Sequence, residues 1–172
     1  GFPSPWLNLY GEPEEFLTAD ERRALEPVAF FGSLPPAEEL GARRRGEGLS
    51  SFGEAGAGPR LYASLGTVVW RYWPEVALAA LAAVAEATAS IPGARAVLSL
   101  GHAAPGAGEL RALERPGVTV AAYVDQWAIL QEADVFLTHH GLSSTHEAVW
   151  HQVPMLSYPM FWDQPALAAK CQ

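Results

Sequence analysis

The stretch Thr138-His139-His140-Gly141-Leu142-Ser143-Ser144-Thr145-His146-Glu147-Ala148 constrains this chain more than any other, because of what flanks it. Asp134-Val135-Phe136-Leu137 before it is an apolar run of strand length, and Val153-Pro154-Met155-Leu156 after it is another. A strand, a tight Gly/Ser-rich turn and a short helix make half of a βαβ unit. Where such a turn opens a helix, backbone N–H groups point outward at its positive end and an anion fits there. Ser143, Ser144 and Thr145 add hydroxyl donors, and Gly141 lets a ligand approach the backbone closely. The stretch reads as a diphosphate site.

The rest of the chain supports a sheet around it. From Leu61 onward, strands expected at Leu61–Leu65, Arg95–Leu100, Val118–Tyr123, Asp134–Leu137 and Val153–Tyr158 are interrupted by helices. The helices are expected from Pro74 to about Ser90, Gln126 to Glu132, from about Ser143, and Gln164 to Lys170. Gly66-Thr67 is read as a turn, and the Pro/Gly-rich segment after Gly101 as a loop. This alternation predicts an α/β fold, a Rossmann-like parallel sheet with helices on both faces. Ligands of such sheets bind beyond the carboxyl ends of the strands, where the turns after Leu65, Ala122, Leu137 and Tyr158 would gather.

Residues 1–35 are punctuated by proline, with a capping box expected at Thr18 and Glu21 and a strand at Val28–Gly32. They are assigned to the end of a preceding domain, 36–60 to a flexible linker, and 61–172 to the ligand-binding domain. The linker assignment rests on glycine content and missing apolar periodicity. Within it, Arg43-Arg44-Arg45 is read as solvated rather than phosphate-binding.

The net charge of −8 argues against nucleic acid or an anionic membrane as main partner. No apolar run reaches the roughly 20 residues needed to span a bilayer. The single cysteine, Cys171, excludes an internal disulfide framework and fits a reducing, cytoplasmic location. Four histidines within Thr138–Gln152 invite a metal site, and His146-Glu147-x-x-x-His151 comes near a zinc-binding spacing. Five residues turn a helix by about 500°, however, leaving the two rings roughly 140° apart. Structural zinc would also want cysteines. No metal is expected.

His139-x-Gly141-x-x-Ser144-x-x-Glu147, followed by Pro154-Met155, Pro159 and Asp163-Gln164, resembles the donor-binding signature of GT-B glycosyltransferases that use nucleotide sugars. The resembled group contains the UDP-glucuronosyltransferases, plant secondary-product glycosyltransferases and bacterial antibiotic glycosyltransferases. The resemblance runs from about Leu61 to the end, with most of its specificity in residues 123–164. It implies one half of a GT-B fold, and it implies site roles. Thr67, at the end of Ser64-Leu65-Gly66-Thr67, and His139, Gly141, Ser143, Ser144 and Thr145 would take the diphosphate. Tyr123, Val124, Gln126 and Glu147 would take the nucleoside, Tyr123 stacking on the base and Glu147 accepting from the ribose diol. Asp125 stands where the family has proline, which leaves the base open. Trp162, Asp163 and Gln164 would take the sugar. His140 is assigned no role.

Several of these assignments have an ordinary alternative. Tyr123 reads equally as the last inward residue of its strand, Glu147 as a solvated helix carboxylate, Asp163 as a helix cap and Trp162 as core. The resemblance implies an acceptor domain, of the same or another chain, that supplies the catalytic base, so no catalytic residue is expected here. The implied reaction transfers a sugar with inversion from a UDP- or dTDP-linked donor, a substrate, to a small-molecule acceptor, with no cofactor. The rivals are a nucleotide-sugar 2-epimerase and a non-catalytic nucleotide-sugar-binding subunit.

Overall fold

A computed structural model describes residues 3–31, 48–53 and 57–172. The chain divides into two compact units, Gly1–Arg43 and Arg44–Gln172.

In the first unit, β1 (Asn8–Tyr10) pairs in parallel with β2 (Val28–Phe30), and α1 (Ala19–Leu25) lies between them in sequence. The expected capping box forms. Thr18 Oγ1 accepts from Glu21 N at 3.2 Å, and Glu21 Oε2 accepts from Thr18 N at 2.8 Å. The expected Arg43-Arg44-Arg45 run lies outside the described residues.

The second unit is built on β3 (Arg60–Ser64), β4 (Arg95–Ser99), β5 (Val118–Ala121), β6 (Val135–Thr138) and β7 (Met155–Ser157). All pairings are parallel, in the order β5-β4-β3-β6-β7. The helices are α2 (Gly66–Tyr72), α3 (Pro74–Ser90), α4 (Ala107–Leu113), α5 (Gln126–Leu130), α6 (Leu142–Trp150) and α7 (Gln164–Lys170). This is the expected Rossmann-like arrangement, and alternation along the strands explains it. Ala63, Ala96, Leu98 and Leu100 face one core with Val69, Trp70, Leu81 and Ala85 of α2 and α3. Tyr62, Val97 and Phe136 face the other with Ile129, Leu130 and Ala148 of α5 and α6. A strand buried on both faces must be apolar at every position, which is why these read as continuous runs. Among the described residues, no helix is long and apolar enough to cross a membrane.

Three segments differ from expectation. Gly66–Tyr72 is a helix, not a turn, because Val69 and Trp70 are buried in the first core and packing overrides their β-branched and aromatic propensity. Ala107–Leu113 is a helix within the expected loop. Gly106 N donates to Glu109 Oε2 at 2.6 Å at its start, and Leu113 is buried. The described part of the expected linker is docked on the sheet unit: Leu49 bridges Val124, and Phe52 joins the second core.

The chain runs from β3 outward to β5, then crosses back to place β6 on the other side of β3. The direction of winding therefore reverses between β3 and β6. The crevice beyond their carboxyl ends is the topological switch point.

Candidate functional site

Three neighbouring strands end in the same way. Ser64, Ser99 and Thr138 are register partners across the sheet. Each hydroxyl accepts from the N–H two residues on: Gly66 to Ser64 at 3.4 Å, Gly101 to Ser99 at 3.4 Å, His140 to Thr138 at 3.1 Å. The third residue of each turn has positive φ, at 69°, 55° and 59°. These are side-chain-stabilised turns, and glycine is the ordinary choice at their last position.

The middle residue differs. Leu65 and Leu100 are buried in the first core, whereas the third turn carries His139. A leucine would serve the fold there, so the imidazole answers another need. His139 is 9% exposed, and its Nδ1 is buried without a hydrogen-bond partner among the described residues. Burial holds the ring below its usual pKa, against the opposing influence of the Ser64 backbone, with the Asp163 charge also pulling upward.

Two glycines make room for that ring. A methyl group on Gly66 would lie 2.7 Å from Nε2, and one on Gly141 would lie 2.5 Å from it. His140 turns the other way and is fully buried. Its Nε2 lies 2.8 Å from Ser157 Oγ and its Nδ1 3.4 Å from Thr145 Oγ1, tying β7 to α6.

Gly141 is the N-cap of α6 and supplies no capping side chain. The first helical bond runs from Thr145 N to Gly141 O at 2.9 Å, so the N–H groups of Leu142, Ser143 and Ser144 precede it. They open onto a cavity of about 420 Å³ at the switch point. Thr67, Tyr123, Val124, Gln126, His139, Gly141, Ser143, Ser144 and Glu147, nine of the expected site residues, all line it. Among the described residues, the lining contains no lysine or arginine. An anion here would be met by amide N–H groups, hydroxyls, the α6 dipole and a neutral imidazole.

Glu147 is 3% exposed, so it is not the solvated helix carboxylate of the ordinary reading. Its Oε2 accepts from Gln126 Nε2 at 2.8 Å, and the same amide nitrogen reaches Ser144 Oγ at 3.3 Å. Tyr123 stacks on His102 with centroids 4.3 Å apart and planes 16° from parallel. Asp125 caps α5, accepting from Ala128 N at 3.1 Å. Leu49 bonds to Tyr123 O and Asp125 N, leaving the N–H and C=O of Val124 outside that pairing.

Four expected site residues are not among those lining this cavity. Thr145 is fully buried and turned toward His140, because its helical position is about 100° from that of Ser144. Trp162, Asp163 and Gln164 are not among the lining residues. Trp162 is 81% exposed, which removes the reading of it as core. Asp163 stands at the N-cap of α7 without making a side-chain cap bond. Gln164 is buried, its Oε1 accepting from Met160 N at 2.9 Å and Phe161 N at 3.2 Å. Conversely, Tyr62, Ser99 and Gly101 line the cavity without having been singled out. The repeated Ser-Leu-Gly of residues 64–66 and 99–101 was the available signal.

Comparison with known proteins places this geometry. The family model described as UDP-glucoronosyl and UDP-glucosyl transferase matches residues 21–172. The chain is 34% identical over 116 residues to a zeaxanthin glucosyltransferase of Pseudescherichia vulneris, covering 65% of this chain and 26% of that protein. It superposes on the crystal structure of the kitacinnamycin glycotransferase with a TM-score of 0.70 and 31% identity, covering 94% of this chain and 38% of that one. The fold also matches UDP-glucose: anthocyanidin 3-O-glucosyltransferase in complex with UDP, with a TM-score of 0.60 and 21% identity over 95% of this chain and 37% of that one.

Proposed function

The chain belongs to the UDP-glucoronosyl and UDP-glucosyl transferase family, and on that premise we propose that it is the donor-binding half of an inverting glycosyltransferase. The donor is a UDP- or dTDP-linked sugar and the acceptor a small molecule of the natural-product kind. One observation carries the reading: His139 stands where the two neighbouring strand-terminating turns have leucine, beside the open N-terminus of α6.

The division of labour follows from the chemistry of each group. The α6 amides, Ser143, Ser144, Thr67 and His139 receive the diphosphate and stabilise its charge as it leaves. His139, neutral through burial, donates one N–H rather than a full positive charge. Glu147, already oriented by Gln126, accepts from the ribose diol. His102 covers one face of Tyr123, so the base stacks on the other, with its edge toward the backbone groups of Val124 that lie outside the Leu49 pairing. Trp162 and Asp163 are the sugar end, joined by the amide nitrogen of Gln164, whose oxygen is already engaged.

An acceptor hydroxyl, or other nucleophile, attacks the anomeric carbon and the nucleoside diphosphate departs. General-base catalysis of that attack comes from the acceptor-binding domain, in the same or another chain, and typically contributes 10²–10⁴-fold. The chain's single cysteine supports a cytoplasmic setting.

The test is calorimetry of this chain with UDP, dTDP and UDP-glucose, followed by transfer and hydrolysis assays with the acceptor domain supplied. Nucleotide binding that His139→Ala weakens, with transfer only when the acceptor domain is present, is the expected result. Epimerised free sugar would favour an isomerase, and binding with no turnover a non-catalytic subunit. No binding of either nucleotide would overturn the reading.

A further inference from the structure

Tyr62 is unclaimed by the roles above, yet its environment is specific. It lies in β3 with its ring stacked on Phe136, centroids 4.7 Å apart and planes 14° from parallel. The ring is 2% exposed, yet the residue lines the cavity. Its hydroxyl donates to Gln126 Oε1 at 3.3 Å. Burial pushes the phenol's pKa far up, so the proton stays on.

That single proton has a consequence for the next residue. An amide side chain carries an acceptor at one end and two donors at the other. With Gln126 Oε1 accepting from the Tyr62 hydroxyl, the Gln126 NH₂ faces Glu147 and Ser144, which it meets at 2.8 and 3.3 Å. Rotated by half a turn, the same amide would set its oxygen against the Glu147 carboxylate. The Glu147 carboxylate, which only accepts, draws the NH₂ toward itself, and the Tyr62 hydroxyl, donating to Oε1, holds the amide in that orientation.

We propose that Tyr62 is a positioning residue for nucleoside recognition, its hydroxyl fixing the Gln126 amide so that Glu147 is presented to a vicinal diol. This rests on the reading of the cavity as a nucleoside diphosphate site. Tyr62 is 2% exposed and acts through Gln126, so its effect falls on ligands that use Glu147.

The variant is Tyr62→Phe, which keeps the stack on Phe136 and removes the hydroxyl alone. Calorimetry compares UDP, 2′,3′-dideoxyuridine diphosphate and inorganic pyrophosphate on the whole chain. UDP should weaken by about three- to tenfold, the effect of one net hydrogen bond, while the other two ligands are unchanged. In a Gln126→Ala background, adding Tyr62→Phe should change UDP affinity no further, because the phenol acts through that amide. Should Tyr62→Phe unfold, Gln126→Glu asks the same question, removing the N–H toward Glu147, and should show the same diol-selective loss. Equal weakening of UDP and its dideoxy analogue, or unchanged UDP affinity, would overturn the role of Tyr62 alone. Failure of the unaltered chain to bind UDP would overturn the underlying reading with it.

Discussion

The imidazole of His139 occupies the space that Gly141 leaves empty, and a methyl group at Gly141 would lie 2.5 Å from its Nε2. Gly141 has φ −63°, an ordinary value for any residue, so alanine there meets crowding without backbone strain. Gly141→Ala should displace the ring and destabilise the chain by about 1–3 kcal/mol. In a His139→Ala background the same change should be nearly neutral, and thermal denaturation of the four proteins measures the coupling. Additive effects would show that the ring does not fill this space.

Replacing His139 by leucine should separate stability from binding. Leu65 and Leu100 hold the same turn position on the adjacent strands, and replacing a buried nitrogen that has no hydrogen-bond partner within 3.5 Å among the described residues with an apolar group costs little. His139→Leu should melt at or above the original temperature while losing affinity for UDP by roughly tenfold to a hundredfold. A lower melting temperature with intact binding would reverse the assignment of this residue from ligand to scaffold.

Acid should weaken the fold through its histidines. Burial lowers the pKa of His140 and His151, and is also the largest influence lowering His139. The unfolded chain therefore binds protons that the folded chain refuses, beginning near the unperturbed value of about 6.5. Stability is fully present above that pH and declines as pH falls toward the folded values. Melting temperatures at pH 7.5, 6.5 and 5.5 should fall in that order, and a flat or rising series would contradict it. The lowered carboxylate of Asp134, held mainly by the Arg60 backbone N–H, acts only at lower pH.

Glu147 and Asp163 should divide the donor between them. Glu147→Ala should weaken UDP and UDP-glucose alike, since a ribose contact is common to both. Asp163→Ala should act mainly on UDP-glucose, because Asp163 is not among the residues lining the cavity and makes no cap bond that the fold would miss. Calorimetry with both ligands on each variant decides, and equal loss of bare UDP in Asp163→Ala would refute the division.

Much of this was legible because the central strands β3, β4 and β6 are largely buried and announce themselves as apolar runs. The turn after β6 reads as an anion site from its glycine and hydroxyl content, and Gly141, Ser143 and Ser144 line one cavity with His139. What escaped were places where packing overrules local preference. Thr67-Val68-Val69-Trp70 looks unlike a helix until Val69 and Trp70 meet the core. Leu49 and Phe52 are isolated among small polar residues, and only a parallel bridge to Val124 and a place in the core fix them. Thr145 was misread because three adjacent hydroxyls were counted together, although a helix turns successive residues apart. On α6, Ser144 and Glu147 face the cavity while Thr145 and Ala148 face inward. Tyr62 carried no motif of its own, and only a hydrogen bond 64 residues along the chain reveals it.

The central claim, that a nucleoside diphosphate sits between the α6 N-terminus and Glu147, is tested most directly by amide chemical-shift mapping of the chain titrated with UDP and with inorganic pyrophosphate. Both ligands should move the N–H signals of Leu142, Ser143 and Ser144 together with the His139 ring. UDP alone should also move Val124 and the side-chain amide of Gln126. Saturable shifts elsewhere, or shifts at α6 with UDP that leave Val124 and Gln126 still, would contradict it.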